Sequence, residues 1–95
     1  MKKQHILDYL HQHKETFRQK YAVEQIGLFG SYARDEATQE SDVDIFVRMK
    51  PDLFGMIGLK REIEEDLSRP VDVIRDHKNI RPSLRQMIQQ DITYV

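Results

Sequence analysis

The sequence of 95 residues contains no cysteine, and it has only four glycines and three prolines. Without cysteine there can be no disulfide framework, no thiolate zinc site and no cysteine nucleophile. The few glycines and prolines are scattered, so no flexible linker divides the chain. The length is typical of one small domain, and we expect residues 1–95 to form a single domain.

A strong charge of one sign is also missing. Fifteen basic and sixteen acidic residues give a formal net charge of −1 with neutral histidines. This balance provides no strong field for attracting a nucleic acid or a membrane surface, so direct nucleic-acid binding is not indicated. No apolar run approaches the ~20 residues that cross a bilayer, and the N-terminus lacks the apolar run of a signal peptide. These absences favour a cytoplasmic protein.

Apolar residues recur along the chain with the periods of helices and strands. The predicted elements are a helix over 4–21, a strand over 25–30, a short helical turn within 31–41, a strand over 42–47, a helix over 53–67, a strand over 71–74 and a helix over 82–92. The order αβ(α)βαβα predicts an α/β (α+β) fold in which helices pack on a small three-stranded sheet.

Two helices have apolar stripes that are predicted to face the core. The inward positions of helix 53–67 are Leu53, Met56, Leu59, Ile63 and Leu67, and those of helix 82–92 are Leu84, Met87 and Ile88. Phe54 and Ile57 widen the apolar surface at the start of the former helix. With Met56 they could form part of a partner interface or simply pack in the core, and the sequence leaves both possibilities open.

Three aspartates occur where two predicted strands could bring them together. In strand 42–47, Asp42 and Asp44 project from one face and the alternating apolar residues project from the other. Asp72 stands between two valines of strand 71–74 in the same way. If both strands turn their valines towards one core, the three carboxylates share the opposite face and converge at one end of the sheet.

Carboxylates at roughly 4 Å repel each other by about 4 kcal/mol at an effective dielectric constant of about 20. A cluster of them therefore needs compensating cations or altered protonation. Mg²⁺ that is shared with substrate phosphates is the commonest arrangement with oxygen ligands. The same alternation equally fits a half-buried edge strand on which Asp42 and Asp44 merely face solvent.

A glycine turn follows the first predicted strand. Gly30 ends the apolar run, and Ser31 follows where a short helix could begin. Glycine lets the backbone approach a phosphate closely, and the amides at the start of a helix attract anions. Ser31 could cap this helix or donate its hydroxyl to a phosphate oxygen. An ordinary turn would look the same, and neither a Walker loop nor a GxGxxG fingerprint is present.

Together these pieces resemble a known signature. Gly30-Ser31, ten further residues, Asp42-Val43-Asp44 and a strand-borne Asp72 resemble the polymerase-β-type nucleotidyltransferase superfamily. The stretches 29–36, 41–47, 67–74 and 81–95 resemble its minimal nucleotidyltransferase (MNT) antitoxin family, so the resemblance covers most of the chain. One departure is Asp35, where this family often has glycine. The resemblance implies the minimal nucleotidyltransferase fold, with a small three-stranded mixed sheet, and one nucleotidyltransferase domain over residues 1–95.

The resemblance also implies an activity and a partner. It suggests an antitoxin that transfers AMP from ATP to a hydroxyl, expected to be a tyrosine, of a HEPN-domain ribonuclease toxin with which it forms a hetero-oligomer. By this resemblance, Asp42 and Asp44 would hold two Mg²⁺ ions, and Asp72 would bind the metal nearest the acceptor and help remove its proton. Gly30 and Ser31 would hold the β and γ phosphates.

Other functions fit the same residues. The protein could be a non-catalytic antitoxin that neutralises a toxin by covering it, with a vestigial metal site. A small-molecule nucleotidyltransferase ranks lower, because the chain has little room for an acceptor-binding domain. Arg34 could contact phosphates or only pair with Glu36 or Asp42, and Tyr32 is expected to pack in the core rather than line the nucleotide site.

Overall fold

The computed structural model describes every residue from Met1 to Val95. The elements are α1 (Lys3–Tyr21), β1 (Gln25–Phe29), α2 (Gly30–Ala33), β2 (Val43–Arg48), α3 (Leu53–Leu67), β3 (Val71–Arg75), α4 (Pro82–Asp91) and β4 (Thr93–Tyr94). The predicted fold class and the order of its elements are confirmed. The helices and strands that were predicted begin and end within one residue of their expected bounds.

The four strands form one mixed sheet in the order β3-β2-β1-β4. Strand β1 is antiparallel to β2 and to β4, whereas β2 and β3 are parallel. The expected number of three strands was wrong, because β4 adds a fourth. Its two residues are too few for a periodic pattern, and they form a strand only because the chain returns after α4 to lie beside Gly27 and Leu28.

The main core lies between one face of the sheet and helices α1 and α3. Strand β2 contributes its alternate residues to this core, as predicted, and all three are fully buried. The helices contribute side chains spaced four or seven residues apart, which lie on one helical face. The buried residues of β2, α1 and α3 in this core are Val43, Ile45, Val47, Ile6, Leu10, Phe17, Leu59, Ile63 and Leu67.

The other face of the sheet is only partly covered. Helix α4 packs Ile88 against Phe29 and Phe46, and Ile80 completes this smaller buried cluster. The two phenylalanine rings meet edge to face, with centroids 6.3 Å apart.

Strand β2 is an inner strand, with β1 and β3 on its two sides. The interpretation of its alternation as that of an edge strand is therefore wrong.

Leu53 and Met87 were expected to face the core, and both are exposed. Leu53 is 70% exposed and its neighbour Phe54 is 84% exposed, because the core contacts of α3 begin only at Met56, one turn into the helix. Met87 is also exposed, since Ile88 faces the sheet and consecutive helical positions differ by about 100° in direction. Core packing therefore does not explain the apolar start of α3.

No helix of the chain has both the length and the hydrophobicity that spanning a bilayer requires.

Leu59 and Leu53 of α3 differ strongly in exposure and provide a matched test of this packing. Leu59→Ala removes a fully buried side chain and should lower the free energy of unfolding by about 2–5 kcal/mol. Leu53→Ala removes an exposed one and should change it by less than about 0.5 kcal/mol. Urea denaturation followed by circular dichroism measures both changes. Equal losses in the two variants would contradict the described orientation of α3.

Candidate active site

Three neighbouring strands bring the predicted carboxylates to one end of the sheet. In register, Asp44 of β2 lies between Phe29 of β1 and Asp72 of β3. Residues paired in register project from the same face, so the side chains of Asp44 and Asp72 are adjacent. Asp42 precedes β2 by one residue and shares the face of Asp44, two positions away. The structure thus gathers the three aspartates at the N-terminal ends of two parallel strands.

The charges of these aspartates act most strongly on the central one. Asp44 is half-buried, whereas Asp42 and Asp72 are exposed. The pKa of Asp44 is raised to about 6, first by burial and then by the negative charges of Asp72 and Asp42. The positive charge of Arg34 partly opposes it. Asp44 is therefore a carboxylate whose ionised form would gain from a nearby cation.

The donor set fits a cation that is held together with a substrate. No three acidic or histidine side chains of the chain lie close enough to form a ready-made metal cage. Mg²⁺ usually takes one or two protein carboxylates and completes its shell with waters and substrate phosphates. The oxygen ligands of Asp42, Asp44 and Asp72 suit that hard ion, so they fit a metal that binds with a phosphate rather than a permanent structural one.

Gly30 lies against the carboxylate of Asp44. Its φ of +78° is in the left-handed region, which residues other than glycine rarely adopt. A Cβ at this position would stand 2.1 Å from Asp44 Oδ2 and 3.0 Å from its Cγ. Both observations require glycine here. Only a residue without a side chain lets the backbone turn from β1 into α2 directly beside Asp44.

The turn after β1 keeps the conformation that the sequence pattern suggests. Ser31 is the second residue of α2 and does not cap it, since Phe29 occupies the cap position without a side-chain bond. Asp35 has a φ of +58°, a left-handed conformation that glycine favours and aspartate tolerates. The unusual aspartate at this position therefore leaves the turn intact. Tyr32 is buried in the main core, as expected for a packing residue.

Arg34 is held by two carboxylates, of which the sequence suggested only one. Its Nε donates to Glu36 Oε2 at 3.1 Å, and its Nη1 donates to Asp91 Oδ2 at 2.6 Å. Asp42 is not among its partners. Asp91 lies at the end of α4, 57 residues away, and no local sequence signal connects the two residues.

The site lies on an open face of the protein. None of the cavities in the structure is lined by Asp42, Asp44 or Asp72. Sites for small molecules are usually concave and enclose most of their ligand. The aspartates therefore lie on an open surface rather than in an enclosed pocket.

A mixed sheet with three carboxylates beside a glycine turn agrees with the nucleotidyltransferase class that the sequence pattern suggested. The sequence profile of the family described as nucleotidyltransferase domain matches residues 10–95, and the chain belongs to this family. This confirms the family that the sequence pattern suggested.

Known relatives describe the family more closely. The protein adenylyltransferase MntA of Thermococcus cleftensis is 34% identical over 85 residues, which are 87% of this chain and 85% of that protein. A solved structure of a candidate minimal nucleotidyltransferase is 27% identical, with a TM-score of 0.69, over 92% of this chain and 93% of the other. These relatives match the chain over nearly its whole length.

A toxin–antitoxin complex contains a chain of the same fold. This is the complex of a tri-AMPylated HEPN toxin of Shewanella oneidensis with an MNT antitoxin. The match has a TM-score of 0.68 at 20% identity and covers 97% of this chain and 70% of the other. At this identity the likeness establishes the fold.

Replacing Asp44 with asparagine should stabilise the protein at neutral pH. The unfolded carboxyl ionises at a lower pH than the folded one, so the wild type loses stability as the pH rises from about 4 through about 6. The asparagine side chain carries no charge, and we expect a gain of about 1 kcal/mol at pH 7.5 after allowing for solvent screening. Thermal unfolding should show a rise of about 4–8 °C at that pH.

The gain should shrink as the pH falls from about 6 and vanish below about pH 3, where Asp44 is protonated in both the folded and the unfolded state. Asp8→Asn, which neutralises an exposed carboxylate on α1, is the control and should change the stability by less than about 0.5 kcal/mol. A D44N variant that is less stable than wild type at pH 7.5 would contradict the described electrostatics.

Replacing Gly30 with alanine tests the close approach of the backbone to Asp44. The new Cβ would strain the left-handed backbone and displace the carboxylate, so we expect a loss of about 1–3 kcal/mol in unfolding free energy. Ser31→Ala, one residue further on, should cost less than about 0.5 kcal/mol. Chemical denaturation compares the two variants, and a Gly30→Ala protein as stable as wild type would be the contrary result.

Proposed function

We propose that this chain transfers AMP from Mg-ATP to a tyrosine hydroxyl of a HEPN-domain ribonuclease toxin and thereby acts as its antitoxin. In this proposal residues 1–95 form a single nucleotidyltransferase domain, and the toxin and antitoxin form a hetero-oligomer. The observation that carries the proposal is the pairing of Asp44 with Asp72 beside Gly30. One relative is a protein adenylyltransferase, and one complex of the same fold contains an AMPylated HEPN toxin. Both support a toxin protein as the acceptor of AMP.

The aspartates and the glycine turn would have separate roles. We assign to Asp42 and Asp44 the binding of two Mg²⁺ ions, which would neutralise the charge of the triphosphate and orient the reacting oxygens. Gly30 and Ser31 would hold the β and γ phosphates through the turn at the start of α2. The raised pKa of Asp44 supports this assignment, because a carboxylate that is costly to ionise gains most from a cation beside it.

The acceptor hydroxyl would approach on the side of Asp72. This exposed carboxylate stands next to Asp44 in the parallel pair and can accept the proton of an incoming hydroxyl or help to bind the adjacent metal. The oxygen would attack the α phosphorus, and pyrophosphate would leave. No covalent intermediate with the enzyme is needed, which agrees with the lack of an obvious nucleophile in the chain.

We propose that the partner also contacts the apolar start of α3. Phe54 and Ile57 are exposed there, and Met56 joins them to the core. Helix α3 follows the C-terminal end of β2, whereas the aspartates lie near its N-terminal end. A partner bound at the start of α3 would therefore leave the carboxylates accessible.

A non-catalytic antitoxin is the second candidate function. The exposed start of α3 and the lack of a ready-made metal cage agree with a protein that only covers its toxin. A small-molecule nucleotidyltransferase is less well supported, because no cavity adjoins the aspartates. The two antitoxin functions differ in whether the toxin gains mass.

Intact-mass spectrometry tests the transfer directly. The protein encoded next to this one, as the candidate toxin, is incubated with Mg-ATP and either wild-type protein or the Asp42→Asn/Asp44→Asn double variant. We expect the toxin to gain one or more AMP units with the wild type and none with the double variant, because the variant lacks both proposed metal ligands. Asp8→Asn, far from the site, should transfer AMP like the wild type.

A stable complex in which the toxin gains no mass would contradict the enzymatic proposal and favour the binding antitoxin. Digestion of the modified toxin then locates the acceptor. An AMP group on a residue other than tyrosine would refute that part of the proposal.

A further inference from the structure

Arg34 connects the turn after β1 to the end of α4. It follows α2 directly and donates to Asp91 through Nη1 and to Glu36 through Nε. The bond with Asp91 is the shorter, 2.6 Å against 3.1 Å, and it is the largest of the interactions that raise the pKa of Arg34. Nη2, the remaining nitrogen of the guanidinium, is bonded to neither carboxylate and can donate to another group.

Asp91 stands where an isolated acid would be unfavourable. It is the last residue of α4, at the negative end of the helix dipole, and the last turn of α4 contains no basic residue. Its side chain is only 14% exposed, whereas that of Glu36 is 65% exposed. Arg34 supplies the positive charge that this carboxylate needs, so the pair is more than a solvated surface contact.

Helix α4 gives Asp91 a fixed position relative to the site. Ile88, one turn earlier, is buried against Phe29 and Phe46. Phe29 directly precedes Gly30, so α4 packs through Ile88 on the residue next to the glycine turn. Arg34 lies four residues after Gly30, and its backbone N–H donates to the carbonyl oxygen of Gly30 at 3.1 Å.

We propose that Asp91 is a positioning residue, which holds Arg34 so that its guanidinium faces the phosphates of the nucleotide. The inference rests on the proposed function, because it takes the phosphates to bind at Gly30 and Ser31. Asp91 itself is the C-terminal residue of α4, and in this proposal it acts only through Arg34. Glu36 bonds the same arginine but is largely exposed to solvent, whereas Asp91 is mostly buried, so Asp91 should set the orientation.

Steady-state kinetics of the Asp91→Asn variant test this role. Without the charged bond, Arg34 is no longer held in place, and we expect the KM for Mg-ATP to rise about tenfold. The kcat should stay within about twofold, because the metal ligands and Asp72 are unchanged. Glu36→Gln is the matched control, since it removes the other bond to Arg34, and should change KM by less than about twofold. Asp91→Glu, which keeps the charge, should recover part of the loss.

A purely structural role for Asp91 gives a different pattern. In an Arg34→Gln background, Asp91→Asn should cause no further rise in KM if it acts through Arg34, because coupled residues are not additive. An equal rise in both backgrounds would overturn the proposal. A lower melting temperature with an unchanged KM would overturn it as well.

Nucleotide binding separates this inference from the proposed transfer. Calorimetry with Mg²⁺ and α,β-methylene ATP, whose α–β bridge cannot be cleaved, needs no acceptor. About tenfold weaker binding by Asp91→Asn would support the inference even if the wild type transferred no AMP. Equal binding by wild type and variant would refute the inference alone. A wild-type protein that binds no nucleotide would contradict both.

Discussion

The candidate site depends on one electrostatic arrangement, in which the half-buried Asp44 lies beside Asp72. The parallel register of β2 and β3 makes the two carboxylates neighbours, and burial makes the charge on Asp44 expensive. Like charges in such a position oppose folding unless a cation or a proton relieves them. Gly30 leaves space for the carboxylate of Asp44, because a Cβ at this position would collide with it. The positive charge of Arg34 partly offsets the cost of ionising Asp44.

The two faces of the sheet divide the work of stability and function. One face is covered by α1 and α3 and holds the main core. The other is covered only in part, by Ile88 of α4 packed on Phe29 and Phe46, and Asp42 and Asp72 stay exposed on it. A chain of this size has room for one substantial core, and here that core lies on the face of the sheet opposite the aspartates.

Periodicity explains how much of this could be predicted from the sequence. The alternation around Asp44 and the valines beside Asp72 predicted both the strands and the shared face of the carboxylates. Strand β4 was missed because two residues have no period, and Leu53 was misplaced because a helical stripe does not say where contact with the core begins. The bond between Arg34 and Asp91 joins residues 57 positions apart and depends on tertiary packing alone.

The central claim is that Asp42, Asp44 and Asp72 bind a metal together with a nucleotide. The most direct measurement is NMR of the labelled protein with Mn²⁺ in place of Mg²⁺, since the paramagnetic ion broadens the signals of nearby amides. With α,β-methylene ATP present, we predict selective broadening at residues 30–31, 42–44 and 72, and little broadening without the nucleotide. Broadening centred on other acidic residues, or none in the presence of the nucleotide, would contradict the account.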